Sequence, residues 1–501
     1  MKRRLCSLIL LPFLLLYAFP VSAAEKEERK WQDETMYYLM IDRFNNGDNQ
    51  NNQEVNNNDP SAYQGGDFTG ATGRLDHIKD MGFTTLILSP VFQNEKGGYH
   101  GYWTTDFYKT NKQFGTMKEL KKLVDEAHER DLKVLIDLPV TRVSTTHPWT
   151  KDAEKADWFT NKSEVGPEKW LGEMATLNLE NEEVTKELIK VANYWIEQAK
   201  IDGYYLSDAT SAPVSFWEKF SKELDKDVYL LGESSEEDVN VSKLAEYQKA
   251  GLDGMMNGAM MSPAREQFKT VNQSSSETPN LLKEVETTWE DPQLSANYLD
   301  TNKTTRFTRD TVQENNFPGT RWMLALTYLY TIPGTPVVYY GSEIALDGGE
   351  GTENHGLMNF RIDKELIDYM KKIGDLRQQL PALTRGSYEP LYEKDGMVVF
   401  KRKYQDETII VAINNTDKTQ KVTIPAKELA NDKELRGLLN DNLSREENGE
   451  YTIILDREQS EIFALADKSG INISFIVALA AVYIIFMVFI YLVWKRGRAA
   501  R

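Results

Sequence analysis

Two hydrophobic periods alternate along the chain from about residue 33. Short runs rich in β-branched and aromatic residues read as strands at Tyr37–Asp42, Thr84–Ser89, Lys133–Asp137, Gly203–Leu206, Val228–Gly232, Gly254–Met256, Asn297–Leu299 and Pro336–Tyr340. Between most of them apolar residues recur at i, i+3, i+4 and i+7, most clearly over Thr116–Glu129 and Glu182–Ala199, which predicts helices packed by one face. Eight strands in strict βα order predict an α/β fold, a closed parallel (β/α)8 barrel. Its functional residues belong at the strand C-terminal ends.

Two stretches break the alternation. Residues 138–180, rich in Trp, Lys and Glu, show no clear period and read as an excursion above the barrel, dividing it into 25–137 and 181–386. After about Gly386 the helical period stops. Val398–Tyr404, Thr408–Asn414, Gln420–Ile424 and Tyr451–Leu455 then read as antiparallel strands of a small β-sandwich, residues 387–466.

The ends are of another kind. Lys2, Arg3 and Arg4, the apolar run Leu5–Phe19 and Val21-Ser22-Ala23-Ala24 read as a secretory signal peptide, residues 1–24; an uncleaved N-terminal anchor is the other reading. Residues 471–494 are apolar apart from Asn472 and Ser474, long enough for one transmembrane helix. Lys495, Arg496, Arg498 and Arg501 follow at once. Positive residues stay in the cytoplasm, so 495–501 is expected to be a short inner tail on a plasma-membrane protein with its body outside.

The chain carries a formal charge of −18, and its two ends hold seven basic residues and no acids, leaving −25 on residues 25–470. A body that acidic argues against nucleic acid as a partner. The one cysteine, Cys6, lies in the expected signal peptide, so the mature body is expected to use neither disulfides nor thiol chemistry.

Local sequences add a name. Met40-Ile41-Asp42-Arg43-Phe44-Asn45-Asn46-Gly47-Asp48, Tyr99-His100-Gly101-Tyr102-Trp103 with Asp106-Phe107-Tyr108, Phe114-Gly115-Thr116, and Pro333-Gly334-Thr335-Pro336 through Tyr340-Gly341 with Glu343 resemble the α-amylase family, glycoside hydrolase family 13. The resemblance runs from about residue 30 to 465. It implies a TIM barrel with a short inserted B domain and a C-terminal sandwich, and hydrolysis or transfer of α-glucosidic bonds with retention. A retaining glycosidase needs one carboxyl to attack and one to protonate the leaving oxygen, roughly 5–5.5 Å apart. The family places these after the fourth and fifth strands and a third carboxylate after the seventh.

Here the chain departs from its relatives. Where the fourth-strand motif reads Gly-Phe/Tyr-Arg-x-Asp, this chain has Gly203-Tyr204-Tyr205-Leu206-Ser207, which puts Ser207 at the nucleophile position and Tyr205 at the arginine. The acid/base position is kept as Glu233. The seventh-strand motif Asp-Asn-His-Asp is Asp300-Thr301-Asn302-Lys303, so a lysine replaces the third carboxylate. The third-strand motif keeps only Asp137 and ends in Arg142. Asp208 could substitute as nucleophile only if the backbone bends, because a one-residue slip on a strand turns a side chain to the other face. Arg142 and Lys303 are expected to neutralise Asp137, Glu233 and Asp300 in one pocket, since unpaired buried charge is costly. A new anion or acid-sugar site is the other reading.

By the same resemblance Tyr102 and Trp103, with His100, would stack on or grip a sugar, or would simply hold the loop over the barrel. Asn46, Asp48, Asn51, Asn52, Gly65 and Asp67 match a calcium loop of bacterial members and imply one calcium, an ion that takes oxygen ligands. Thr141 and Thr176 stand where a second calcium would need Asn and Asp. Three functions stay open. One is a pseudoenzyme ectodomain that binds α-glucan (a maltooligosaccharide, for example) or a membrane-protein partner. The others are a working α-amylase or α-glucosidase, and an enzyme of another kind built on Glu233, Asp208 and Lys303.

Overall fold

The computed structural model describes residues 29–166, 168–234, 240–274, 277–361, 364–468 and 473–499; the expected signal peptide and Cys6 lie outside them. Eight parallel strands close a barrel in chain order: β1 Met36–Leu39, β2 Thr85–Leu88, β3 Lys133–Asp137, β4 Gly203–Leu206, β5 Tyr229–Gly232, β6 Gly254–Met256, β7 Ser295–Asn297 and β8 Thr335–Tyr339. All are buried along their length except at Lys133, which is why they read as continuous apolar runs rather than alternating ones.

The expected strands and the observed ones differ most at β1 and β7. β1 stops at Leu39 because Ile41–Phe44 forms a helical turn, where the Asp42 carboxylate accepts the Gln64 and Gly65 amides. β7 lies two residues earlier than expected. The two clearest helices are Met117–Glu129, started by a capping box between Thr116 and Glu119, and Glu182–Ala199, capped by Asn181.

The excursion after β3 is more regular than its sequence suggests. Arg142–Ser144, Phe159–Val165 and Glu173–Leu177 form a three-stranded sheet with the last strand in the middle. Past the barrel, a six-stranded and a two-stranded antiparallel sheet enclose a core that includes Val399, Ile410, Val422, Tyr451 and Ile453. Four of its strands, Ser387–Lys394, Lys433–Gly437, Leu443–Arg445 and Gln459–Asp467, were not expected from the pattern. The last described element is a helix, Ile473–Ala499, whose segment Leu479–Arg498 is long and apolar enough to cross a membrane, with its large apolar side chains from Leu479 to Trp494 exposed.

Register fixes the site. In β4, Tyr205 pairs with Asp137 of β3 and Leu231 of β5, so the residues just past β3, β4 and β5 share one level at the barrel mouth.

Candidate active site

At that level Asp137, Ser207 and Glu233 are all buried. Ser207 Oγ donates to Asp137 Oδ1 at 2.7 Å, and the Tyr102 hydroxyl donates to Asp137 Oδ2 at 2.7 Å. Asn302 Nδ2 donates in turn to the Tyr102 hydroxyl at 2.8 Å. Burial pushes the Asp137 carboxyl up to about 7, against the two hydroxyl donors that favour its ionised form.

Asp208 also enters the pocket. Its backbone is left-handed, φ 58° and ψ 30°, so the chain bends where the strand ends and the one-residue slip does not turn the side chain away. Its two oxygens lie 2.6 Å from Arg142 Nη2 and 2.6 Å from Lys303 Nζ. Lys303 Nζ is also 2.7 Å from Glu233 Oε2 and 3.5 Å from Glu168 Oε1, while Arg142 Nη2 is 2.6 Å from Glu168 Oε2. Two cations and three carboxylates therefore form one buried cluster. Burial would raise the Asp208 carboxyl, but Lys303 and Arg142 hold it well below the usual range. Burial likewise would lower the Lys303 ammonium, and Asp208, Glu233 and Glu168 hold it well above. Glu233 is raised, because desolvation exceeds the attraction of Lys303.

Part of the expected pairing needs correcting. Asp300 does not join the basic pair: it accepts from the Phe307 amide at 3.0 Å and Ser342 Oγ at 3.3 Å. Arg142 and Lys303 meet Glu168 instead. Glu168 carried no sequence signal, because it lies in the excursion that has neither a period nor a family motif.

The same segment covers the barrel mouth. Trp170 packs edge-on against His100, Tyr102 and His355 with ring centroids 5.2, 6.2 and 4.9 Å apart. Leu171 and Met174 pack on Tyr102, and Trp103 Nε1 donates to the Leu171 carbonyl at 2.7 Å. Tyr102 is buried and Trp103 half-buried, so a sugar ring would have to displace this cover to stack on Tyr102. His100 Nδ1 accepts from the Tyr102 amide, and burial holds the imidazole well below its usual range, in the neutral form. Gly166 lies against the Arg142 guanidinium, which would have to move to admit a Cβ there.

The oxygen-rich loop lies apart from the mouth. Asp67 accepts from the Gly47, Asp48 and Gly70 amides and caps the helix Phe68–Thr72. Asn46 Nδ2 donates to Asn52 Oδ1 at 3.1 Å, and Gly65 packs against both side chains. Asp48 bonds the Gln50 amide. Asn51 Oδ1 is buried with no hydrogen-bond partner. Two carboxylates, several amide oxygens and one orphaned acceptor are a donor set that fits calcium.

The family profile "Alpha amylase, catalytic domain" matches residues 38–436. The chain belongs to the α-amylase family. An Anoxybacillus α-amylase structure, described as giving insight into a new glycosyl hydrolase subclass, is 48% identical with a TM-score of 0.85 over 89% of this chain and 100% of that one. The Geobacillus thermoleovorans α-amylase complexed with acarbose is 44% identical, with a TM-score of 0.83 over 88% and 100%. Among curated relatives, a cyclomaltodextrinase from a Bacillus species is 30% identical over 77% of this chain and 73% of its own length. The Paenibacillus polymyxa β/α-amylase is 28% identical over 86% of this chain, and the chain spans only 38% of that protein. In this member of the α-amylase family, Arg142 and Lys303 fill the barrel mouth with ion pairs.

Proposed function

We propose that this chain is a membrane-tethered pseudoenzyme of the α-amylase family, whose outer body binds α-glucan or a membrane-protein partner away from the barrel mouth. The observation that carries the reading is Lys303, whose ammonium lies 2.6 Å from Asp208 and 2.7 Å from Glu233. A glycoside-cleaving transition state is oxocarbenium-like and is favoured by nearby negative charge, whereas a fixed ammonium opposes it. No carboxylate follows Leu206 directly, and Asp208 has both oxygens engaged. The test is turnover of maltooligosaccharides and of an activated aryl α-glucoside by the purified protein. None is expected.

A second reading has one observation behind it. The left-handed turn brings Asp208 into the pocket, and the relatives at 48% and 44% identity are called α-amylases. A working enzyme would cleave α-glucosides at roughly 1 per second or faster, and Asp208→Asn would abolish that activity.

The tether rests on the apolar helix, and the outward orientation on the basic residues after Trp494. Protease added to intact cells should release nearly the whole protein; a barrel protected from external protease would place the body inside. A calcium ion at the loop formed by Asn46, Asp48, Asn51, Asn52, Gly65 and Asp67 would have a structural part in this function.

A further inference from the structure

The helix Ile473–Ala499 holds a polar side chain where, in a bilayer, no water reaches it. From Ile473 to Trp494 it measures about 32 Å at 1.5 Å per residue, close to the ~30 Å hydrocarbon layer. Its basic end is marked by Tyr491 and Trp494, rings 6.4 Å apart, with the Arg498 guanidinium 3.9 Å over the indole, the pattern of a membrane interface. Tyr483 belongs to neither interface. It lies about 15 Å from Ile473 and about 16 Å from Trp494 along the axis, at the middle of the layer.

A tyrosine side chain is too short to carry its hydroxyl from that depth to either surface. The helix itself offers no partner, because its carbonyls there already accept the amides of the next turn. No other part of the described chain covers the apolar segment, and Tyr483 is 69% exposed. The hydroxyl therefore needs a partner from another chain within the membrane. Met487, Ile490 and Trp494 share its face at i+4, i+7 and i+11, and all are exposed. Ala480, a turn before Tyr483, leaves room for a second backbone to come close.

We infer that this face is an interface between two copies of the chain, with the two Tyr483 hydroxyls hydrogen-bonded to each other at the bilayer midplane. A hydroxyl both donates and accepts, so it pairs with its own copy across a twofold axis. Tethered alike, two copies hold Tyr483 at the same depth with no adjustment. A helix of another protein would have to bring a polar group of its own to that depth. The inference rests on the reading that this helix is the membrane tether, and not on whether the barrel turns over substrate.

The experiment is oxidative cross-linking of the full-length chain in phospholipid vesicles, in a Cys6→Ser background that leaves no native thiol. Met487→Cys and Ile490→Cys place single thiols on the proposed face; Ile485→Cys, Val488→Cys and Leu492→Cys place them on the opposite one. Disulfide-linked dimers are expected from the first set only, because the bridge needs Cα atoms about 4.4–6.8 Å apart. Tyr483→Phe keeps the ring and removes the hydroxyl. It should weaken dimerisation about threefold or more, read as the fall in cross-linking of the Met487→Cys chain on dilution with lipid. None of these changes touches the outer body, so its melting temperature should not move and serves as the check on folding. Equal cross-linking on both faces, none on either, or no response to Tyr483→Phe overturns the interface. An alkaline wash of the membranes separates this from the tether. A chain that stays in the membrane without dimers leaves the tether standing and removes the interface, whereas a chain washed off removes both.

Discussion

The ammonium of Lys303, the residue that the motif resemblance puts at the family's third carboxylate, lies 2.7 Å from Glu233 Oε2. The pair reverses the sign of one wall of the pocket. It also makes Glu233 a buried carboxylate whose one ion-pair partner among the described residues is Lys303, because Arg142 turns to Asp208 and Glu168 instead.

Removing that lysine should therefore be costly. Lys303→Met leaves Asp208 and Glu168 only Arg142, and leaves Glu233 buried without a cation. Breaking a buried pair by removing one partner costs about 3–5 kcal/mol. The orphaned carboxyls regain stability on protonation, so the loss should shrink as pH falls. Thermal melts of both proteins from about pH 7 to pH 4 check this. A loss that stays constant across the range would mean that the lysine acts by packing rather than by charge.

Asp137 gives a pH dependence of known sign. Its carboxyl is raised from 3.8 to about 7 by burial, so it stabilises the fold fully below about pH 4 and loses that contribution as pH rises through 7. Asp137→Asn does not titrate and can still face Ser207 and Tyr102 with one acceptor and one donor group. The variant's stability relative to the parent should therefore rise between about pH 4 and pH 7. A flat difference over that window would show that Asp137 is ionised throughout.

What the sequence made legible follows from local physics. The barrel strands are buried on both faces and the two long helices carry one-sided apolar stripes, so their periods survive in the sequence. Ser207, Glu233, Asp137 and Lys303 were picked out by motif order, and the structure pairs Ser207 with Asp137 and Lys303 with Glu233. Glu168 and Trp170 were not placed, because a charge and a ring contributed by an irregular excursion leave no periodic trace. Asp208 was expected to enter the pocket only if the backbone bent, and the backbone does bend there. Its direction depends on a left-handed turn at a non-glycine residue, which no residue type there announces. Among the sandwich strands that were missed, Ser387–Lys394 has no buried position and so no apolar face to read.

The proposed calcium site can be tested with a variant that spares the fold. Asp67 caps a helix and binds three amides, so replacing it would destabilise the loop with or without metal. Asp48 bonds only the nearby Gln50 amide through its side chain, and Asp48→Asn keeps that acceptor. Calcium at about 100 times its dissociation constant should add about 2.7 kcal/mol of stability to the parent and clearly less to Asp48→Asn. Identical melts of the parent in calcium and in chelator would remove calcium from this loop.

The last prediction concerns what it would take to restore catalysis. Tyr205→Arg, Ser207→Asp and Lys303→Asp together restore the family's residues after β4 and β7, and Glu233 is already in place after β5. Those changes alone should give little cleavage, because Trp170, Leu171 and Met174 still cover Tyr102. They also replace the lysine that balances Glu168 and Asp208 by a carboxylate and add a second one at Ser207, so Arg142 and the new guanidinium of Tyr205→Arg face more carboxylates than before. Adding Glu168→Gln and Trp170→Ala removes one of those charges and uncovers the Tyr102 ring. An activated aryl α-glucoside, whose leaving group needs little acid help, is then the substrate most sensitive to a new nucleophile. The five-fold variant is expected to cleave it measurably while the triple variant does not. Loss of a catalytic nucleophile typically costs on the order of 10⁴-fold or more, so even partial recovery would stand well above the parent's background. Equal activity in the triple and five-fold variants would show that the segment around Trp170 does not block the mouth. Measurable cleavage by the parent itself would show that Asp208 and Glu233 already suffice.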